Sequence, residues 1–279
     1  MTHQIYPCLW FDGNAKTAAE FYCSLFKNSK VTTDTPMVVN FELNGKKIMG
    51  LNGGPMYKIN PSISFFVTCK SLAETDELWN KLIDGGKALI PMDKYEWSDR
   101  YGWVQDKFGL TWQISVEGTN GSGQDITPSF LFTREHFGEA AEAIALYSSL
   151  FPNSGLDMMV NYPPGDANEG KVMYAEFNLD GYNLIAMDGP GVHEYTFDEG
   201  VSFVVYCDTQ QEIDYYWNKL TANGGKEVMC GWLTDKFGVS WQIVPSNIGE
   251  LISNKQKGDR AMKALLKMVK IDIETLVNA

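Results

Sequence analysis

Residues 101–115 read YGWVQDKFGLTWQIS, and residues 230–244 read CGWLTDKFGVSWQIV. Gly-Trp, Asp-Lys-Phe-Gly and Trp-Gln-Ile keep their spacing in both, and similar residues exchange at several of the positions between them. Working outward from these stretches, FYCSLFKNS (21–29) returns as LYSSLFPNS (146–154) and FELNG (41–45) as FNLDG (177–181). WNKL occurs at 79–82 and again at 217–220. Long blocks recurring in one order indicate two tandem copies of a domain rather than a solenoid array. The 279 residues agree with two domains, and a copy of about 120 residues is large enough to bury its own core.

Each copy divides again. The apolar run IYPCLWF (5–11) is followed by Asp12-Gly13-Asn14 and a stretch in which Ala15, Ala18, Ala19, Tyr22, Leu25 and Phe26 share one helical face. Asn14 is the expected N-cap and Asn28-Ser29 the stop. VTTDTPMVVNFEL, the hairpin signal Asn44-Gly45 and KKIMGLN then read as three strands. The order repeats with SISFFV (62–67), a helix over 72–83 ended by Gly85-Gly86, and a hairpin around Lys107-Phe108-Gly109. The chain therefore holds four β-α-β-β-β modules. Expected boundaries are a first domain over 1–117, a Gly/Ser/Asn-rich linker over 118–125, a second domain over 126–245 and a tail over 246–279. In the tail Met262, Leu265, Leu266, Val269, Ile273 and Leu276 form one apolar stripe, so a docked C-terminal helix is expected.

A net charge of −12 argues against nucleic acid as a partner, since phosphate binding needs a basic stripe. An acidic surface attracts cationic ligands instead, and it also serves solubility. No stretch approaches the roughly 20 apolar residues of a membrane span. The opening MTHQIYPCLWFDG has neither the basic nor the apolar segment of a signal peptide. Cys8, Cys23, Cys69, Cys207 and Cys230 are scattered, and Cys69 and Cys207 fall at matching strand ends, as small core residues do. A cytoplasmic protein without membrane contact is expected.

The helix signature A-x-x-F-Y-x-x-L-F within paired modules resembles the vicinal oxygen chelate superfamily, which includes glyoxalase I, extradiol dioxygenases and bleomycin-resistance proteins. The opening I-x-P-x-L-W-F, the run PMDKYEWSDRYGWVQDKFGLTWQI (91–114) and the tail AMKALLKMVKIDIETL (261–276) resemble its PhnB-like branch, whose domains often carry the name 3-demethylubiquinone-9 3-methyltransferase. The resemblance implies an α+β fold in which the modules form two cup-shaped mixed-sheet barrels. It also implies that the fused copies form an internal pseudo-dimer, with a further homodimer open.

In metal-dependent relatives four strands each present a His, Glu or Gln to a divalent ion. Carried onto this chain, those positions are Tyr6, Met49, Ser62 and Gln113 in one copy, and Thr127, Ile185, Gly200 and Gln242 in the other. One neutral amide per cup is a poor donor set for a divalent ion. His3, His136 and His193 show no ligand-like spacing. No metal and no cofactor are therefore expected.

Strand alternation turns Tyr6, Cys8 and Trp10 into the first cup and sets Gln113 beside Thr111 and Ser115, with Gln242 beside Ser240 and Val244. The segment 91–100 is missing from the second copy, so the hairpin does not require it, and Tyr95, Trp97, Asp99 and Arg100 are free to line a mouth. The candidate ligand-binding residues are Tyr6, Trp10, Tyr95, Trp97, Arg100 and Gln113, with Arg100 as a carboxylate or phosphonate clamp and Gln113 as a polar anchor. The same residues also allow a structural reading, in which the loop covers a strand edge and the glutamines satisfy backbone groups. The expected function is metal-independent binding of a small molecule in the first-domain cup. The alternatives are a metal-dependent lyase, isomerase or dioxygenase, and a methyltransferase. The last is disfavoured because DGPGV (188–192), the nearest Gly-rich candidate, follows a hairpin strand and opens no apolar helix.

Overall fold

A computed structural model describes residues 5–116 and 125–279; most of the expected linker, 118–124, and His3 lie outside the described residues. The first module comprises β1 (Ile5–Phe11), α1 (Ala15–Leu25), β2 (Lys30–Asp34), β3 (Val38–Leu43) and β4 (Lys46–Asn52). The second comprises β5 (Ile63–Cys69), α2 (Leu72–Ile83), β6 (Lys87–Tyr95), β7 (Ser98–Gln105) and β8 (Thr111–Val116). The third comprises β9 (Asp125–Phe132), α3 (Ala140–Leu150), β10 (Gly155–Asn161), β11 (Val172–Leu179) and β12 (Tyr182–Asp188). The fourth comprises β13 (Val201–Cys207), α4 (Gln210–Leu220), the two-residue β14 (Lys226–Glu227), β15 (Trp232–Thr234) and β16 (Ser240–Pro245).

These modules build two eight-stranded mixed sheets. The first sheet runs β14-β15-β16-β13-β1-β4-β3-β2 and joins the first module to the fourth. The second runs β10-β11-β12-β9-β5-β8-β7-β6 and joins the third to the second. The seams are antiparallel, with Cys8 opposite Ser202 in one and Ser64 opposite Ser129 in the other. The fold class is the expected one, but each cup is made across the copies rather than within one. Copies so alike present the same seam edge, and strand patterning does not say which modules pair.

The sheets face each other through a core of aromatic residues carried by the helices and the inward strand faces. Tyr22 and Phe26, at the end of α1, pack on Trp112 of β8, and Tyr147 and Phe151 pack on Trp241 of β16. The repeated Asp-Lys-Phe-Gly organises this core. Asp106 accepts the N–H groups of Phe108 (2.8 Å) and Leu110 (3.2 Å) and the indole Nε1 of Trp112 (2.8 Å). Asp235 accepts Phe237 N (2.9 Å), Val239 N (3.1 Å), Trp241 Nε1 (2.9 Å) and Tyr147 Oη (2.6 Å). The glycines that close the two turns, Gly109 and Gly238, have φ of 95° and 84°, a region side chains disfavour. The motif that reveals the duplication is thus a buried structural knot.

The tail is three short helices, α5 (Ile248–Ser253), α6 (Gly258–Leu265) and α7 (Ile273–Val277), not one long helix. The chain leaves its helical path so that the carbonyls of Met268 and Val269 can accept the N–H groups of Cys230 (2.7 Å) and Gly231 (2.8 Å). Leu266 and Val269 of the expected stripe are left exposed, while Ile271 and Leu276 are buried. A Cβ added at Gly231 would meet Ile271 Cδ1, just as one added at the equivalent Gly102 would meet Met92 of β6. The tail therefore stands in for the outer half of the hairpin that the fourth module lacks. Among the described residues no helix is long and apolar enough to cross a membrane.

Candidate functional site

Each sheet curves around a floor built from one Ser-Gln pair. In the second sheet Gln113 Nε2 donates to Ser64 Oγ (2.8 Å), and Gln113 Oε1 accepts from Tyr101 Oη (2.8 Å). The register places Trp103 opposite Gln113, Ser129 opposite Ser64 and Ile185 opposite Ser129, all on this face. Burial pushes the Tyr101 phenol far above its ordinary range, so it is a neutral donor. Ser98 Oγ and Ser115 Oγ lie 3.0 Å apart nearer the rim. Three buried polar atoms of this face, Trp103 Nε1, Thr111 Oγ1 and Ser129 Oγ, have no hydrogen-bond partner among the described residues. Aromatic rings wall it. Tyr95 stacks on Trp97 (4.9 Å between centroids), both meet Tyr101 edge-on, and Phe66 lies between Tyr101 and Tyr174.

In the first sheet the matching pair is Gln242 Nε2 donating to Ser202 Oγ (3.0 Å), with Cys8 beside it. Burial pushes the Cys8 thiol up to about 12, against partial relief from Gln242 and Ser202, so it is protonated and unreactive at neutral pH. This floor is plugged. Tyr6, 1% exposed, meets Tyr206 edge-on (5.3 Å), and Lys47 Nζ sits 4.0 Å and 4.5 Å from the two ring centroids. Trp10 meets Trp232 at 5.9 Å and donates Nε1 to Gly54 O (2.7 Å). Aligning the copies puts Thr127, Thr68 and Leu131 of the second sheet where the first has Tyr6, Tyr206 and Trp10. Three large aromatics become smaller side chains, and the second floor is left roomier at those points.

The six expected ligand-binding residues therefore do not share one cup. Tyr95 and Gln113 belong to the second sheet and Trp97 to the turn between its β6 and β7, whereas Tyr6 and Trp10 belong to the first, because β1 pairs with β13 and β4. Arg100 faces away from the floor. Alternation along β7 directs it to α2, where Nε donates to Asp76 Oδ1 (2.7 Å), and Asp99 pairs with Lys94 instead. Sequence reading missed Ser64, Trp103 and Ser129. The opposed serines of the seam are legible only once the pairing of modules is known.

The expected metal positions also shift by two residues. Ser64, Ser202, Cys8 and Ser129 hold the floor, not Ser62, Gly200, Tyr6 and Thr127, while Met49 and Ile185 are in the expected register. The fold family suggests a divalent ion at these quartets. The donors present do not fit one. Both ends of the Gln113 amide are already hydrogen-bonded, Gln242 donates to serine, Met49 and Ile185 offer no hard donor, and the one thiol is held protonated. Among the described residues no three His, Cys, Asp or Glu side chains converge.

The model of one protein family, described as 3-demethylubiquinone-9 3-methyltransferase, matches residues 3–115 and again 124–244. A PhnB protein from Bacillus cereus, described as a putative 3-demethylubiquinone-9 3-methyltransferase, is 31% identical over 39% of this chain and 96% of its own, with a TM-score of 0.38. A protein from Pseudomonas aeruginosa is 25% identical over 41% of this chain and 97% of its own, with a TM-score of 0.36. Glyoxalase I from Zea mays aligns over 87% of this chain and 93% of its own at 12% identity and a TM-score of 0.56, which shows a shared fold. No curated protein sequence matches the chain. With two matches to one family model, the chain belongs to the PhnB-like family described as 3-demethylubiquinone-9 3-methyltransferase, and its paired modules share the fold of glyoxalase I.

Proposed function

We propose that this protein binds a small organic molecule on the concave face of its second sheet and does so without a divalent metal. The observation that carries the reading is the pair of buried, unpartnered polar atoms on that floor, Trp103 Nε1 and Ser129 Oγ; a third, Thr111 Oγ1, is matched by the equally unpartnered Ser240 Oγ of the first sheet. Leaving a polar group buried and unpaired costs about 1–3 kcal/mol, so a ligand that supplies an acceptor to these groups recovers that cost. Aromatic walls with a few convergent polar groups suit a small-molecule site. The first sheet, plugged by Tyr6, Tyr206 and Lys47, serves as the structural partner. The methyltransferase chemistry in the family's description finds no support in this geometry. Asp188-Gly-Pro-Gly-Val192 ends β12 and runs into a loop, and the Asp188 carboxylate is spent on Gly138 N, Ala140 N and Val172 N.

The test is a graft of the plug. Thr68→Tyr with Thr127→Tyr copies the Tyr6–Tyr206 pair into the second sheet. Small molecules that raise the melting temperature of the wild-type protein are expected to leave the double variant unmoved while it remains folded. Equal stabilisation of both proteins refutes the site.

A further inference from the structure

We infer that the molecule held on the second sheet is uncharged, flat, and presents a carbonyl-type acceptor to the floor; this rests on the site proposed above. The unmatched atoms set the polarity. An indole N–H can only donate, and Trp103 is 9% exposed with its Nε1 unpartnered. Ser129 and Thr111, at 1% and 0% exposure, add two hydroxyls with nothing to donate to. The amide of Gln113 and the hydroxyl of Ser64 are already committed to each other, and Gln113 takes the Tyr101 proton as well. The floor thus has spare donors, and the group that satisfies them is an acceptor.

Charge decides which acceptor. A carboxylate or phosphate buried here would need a cation, and the nearby ones are occupied. Lys94 pairs with Asp99 at 2.7 Å, Arg100 pairs with Asp76 at 2.7 Å, and Lys46 pairs with Asp125 at 2.5 Å at the seam. An unpaired buried anion is costly, whereas a neutral carbonyl oxygen taking the Trp103 and Ser129 donors is not. A cation leaves the Trp103 indole unsatisfied, since that group can only donate. The carboxylates that the register puts on this face lie toward the rim: Glu176 is exposed and accepts the Tyr174 phenol at 2.7 Å, Asp93 is exposed and accepts Lys94 N, and Asp125 is held by Lys46. The overall charge of −12 therefore does not describe the floor. The wall decides the shape. Phe66, Tyr101 and Tyr174 stand at 6.3–6.4 Å in tilted and edge contacts, an arrangement that receives a flat ring.

Isothermal titration of the full chain with three probes of one ring system tests this: 2-naphthamide, 2-naphthoate and 2-naphthylmethylammonium. The amide is expected to bind at least tenfold more tightly than either ion, and Trp103→Phe is expected to weaken the amide about tenfold, the size of one lost hydrogen bond. Preference for naphthoate or for the ammonium overturns the inference, as does equal binding of the amide by Trp103→Phe, or no binding of any probe. The Thr68→Tyr/Thr127→Tyr protein separates the two claims. An ionic probe that binds wild type and is lost in this variant overturns the ligand class and keeps the site. Amide binding that survives in the variant overturns the site itself.

Discussion

Replacing Asp235 by alanine probes the buried knot that the sequence repeats. The carboxylate is 3% exposed and accepts four hydrogen bonds, from Tyr147 Oη, Trp241 Nε1, Phe237 N and Val239 N. Removing it strands four donors at about 1–3 kcal/mol each, a gross loss of about 4–12 kcal/mol. Against this, the charge itself is disfavoured where it lies. Burial is the largest influence on Asp235 and raises its pKa from 3.8 to about 6, despite those hydrogen bonds. That rise is equivalent to about 3 kcal/mol at neutral pH, which the mutation recovers. Allowing for water entering the cavity, the net loss is expected near 4 kcal/mol at pH 7, measured as the drop in unfolding free energy in urea at constant m-value. Asp106→Ala strands three donors and is expected to cost less. A loss under about 1 kcal/mol for both variants would refute the view that Asp-Lys-Phe-Gly persists for structural reasons.

The same aspartate sets a pH dependence. A carboxyl whose folded pKa is raised favours the folded state most at pH below its unfolded value, and that contribution is lost as pH rises through about 6. Wild type minus Asp235→Asn should therefore gain stability by up to about 3 kcal/mol between pH 7 and pH 4, and a flat difference would contradict the assignment. Native protein treated with a thiol reagent should be modified at the partly exposed Cys23 and Cys230, and not at the buried Cys8, Cys69 and Cys207. Fast labelling of Cys8 would show that the first floor opens. Ile271→Ala should lower stability by about 2–4 kcal/mol, since this fully buried side chain packs over Gly231. A negligible change would mean that the tail is not part of the body.

The modules, their helices and the hairpins were legible because local chemistry repeats. Asn44-Gly45 and Asp180-Gly181 both turn through positive φ, and the apolar face of α1 buries Ala15, Ala18, Ala19 and Tyr22 as its spacing requires. What was not legible depends on distance in space. Tyr6 and Gln113 lie on the inward faces of their cups, as alternation implies, yet in different sheets, because a seam strand such as β1 can pair equally with the corresponding strand of either copy. Ser62 and Ser64 share a strand face, and choosing between them needs the stagger of β5 against β8 and β9, which strand patterning does not encode. The placement of Arg100 is a matter of parity, since the same alternation that turns Tyr101 to the floor turns Arg100 to Asp76 of α2.

The measurement that bears most directly on the central claim is crystallography of tag-free protein soaked with 2-naphthamide, with anomalous data collected for divalent metals. The account predicts ligand density on the second sheet, its acceptor within hydrogen-bond distance of Trp103 Nε1 or Ser129 Oγ, and no metal peak beside Gln113 or Gln242. A metal ion on either floor, or ligand density in the first sheet with the second one empty, would contradict it.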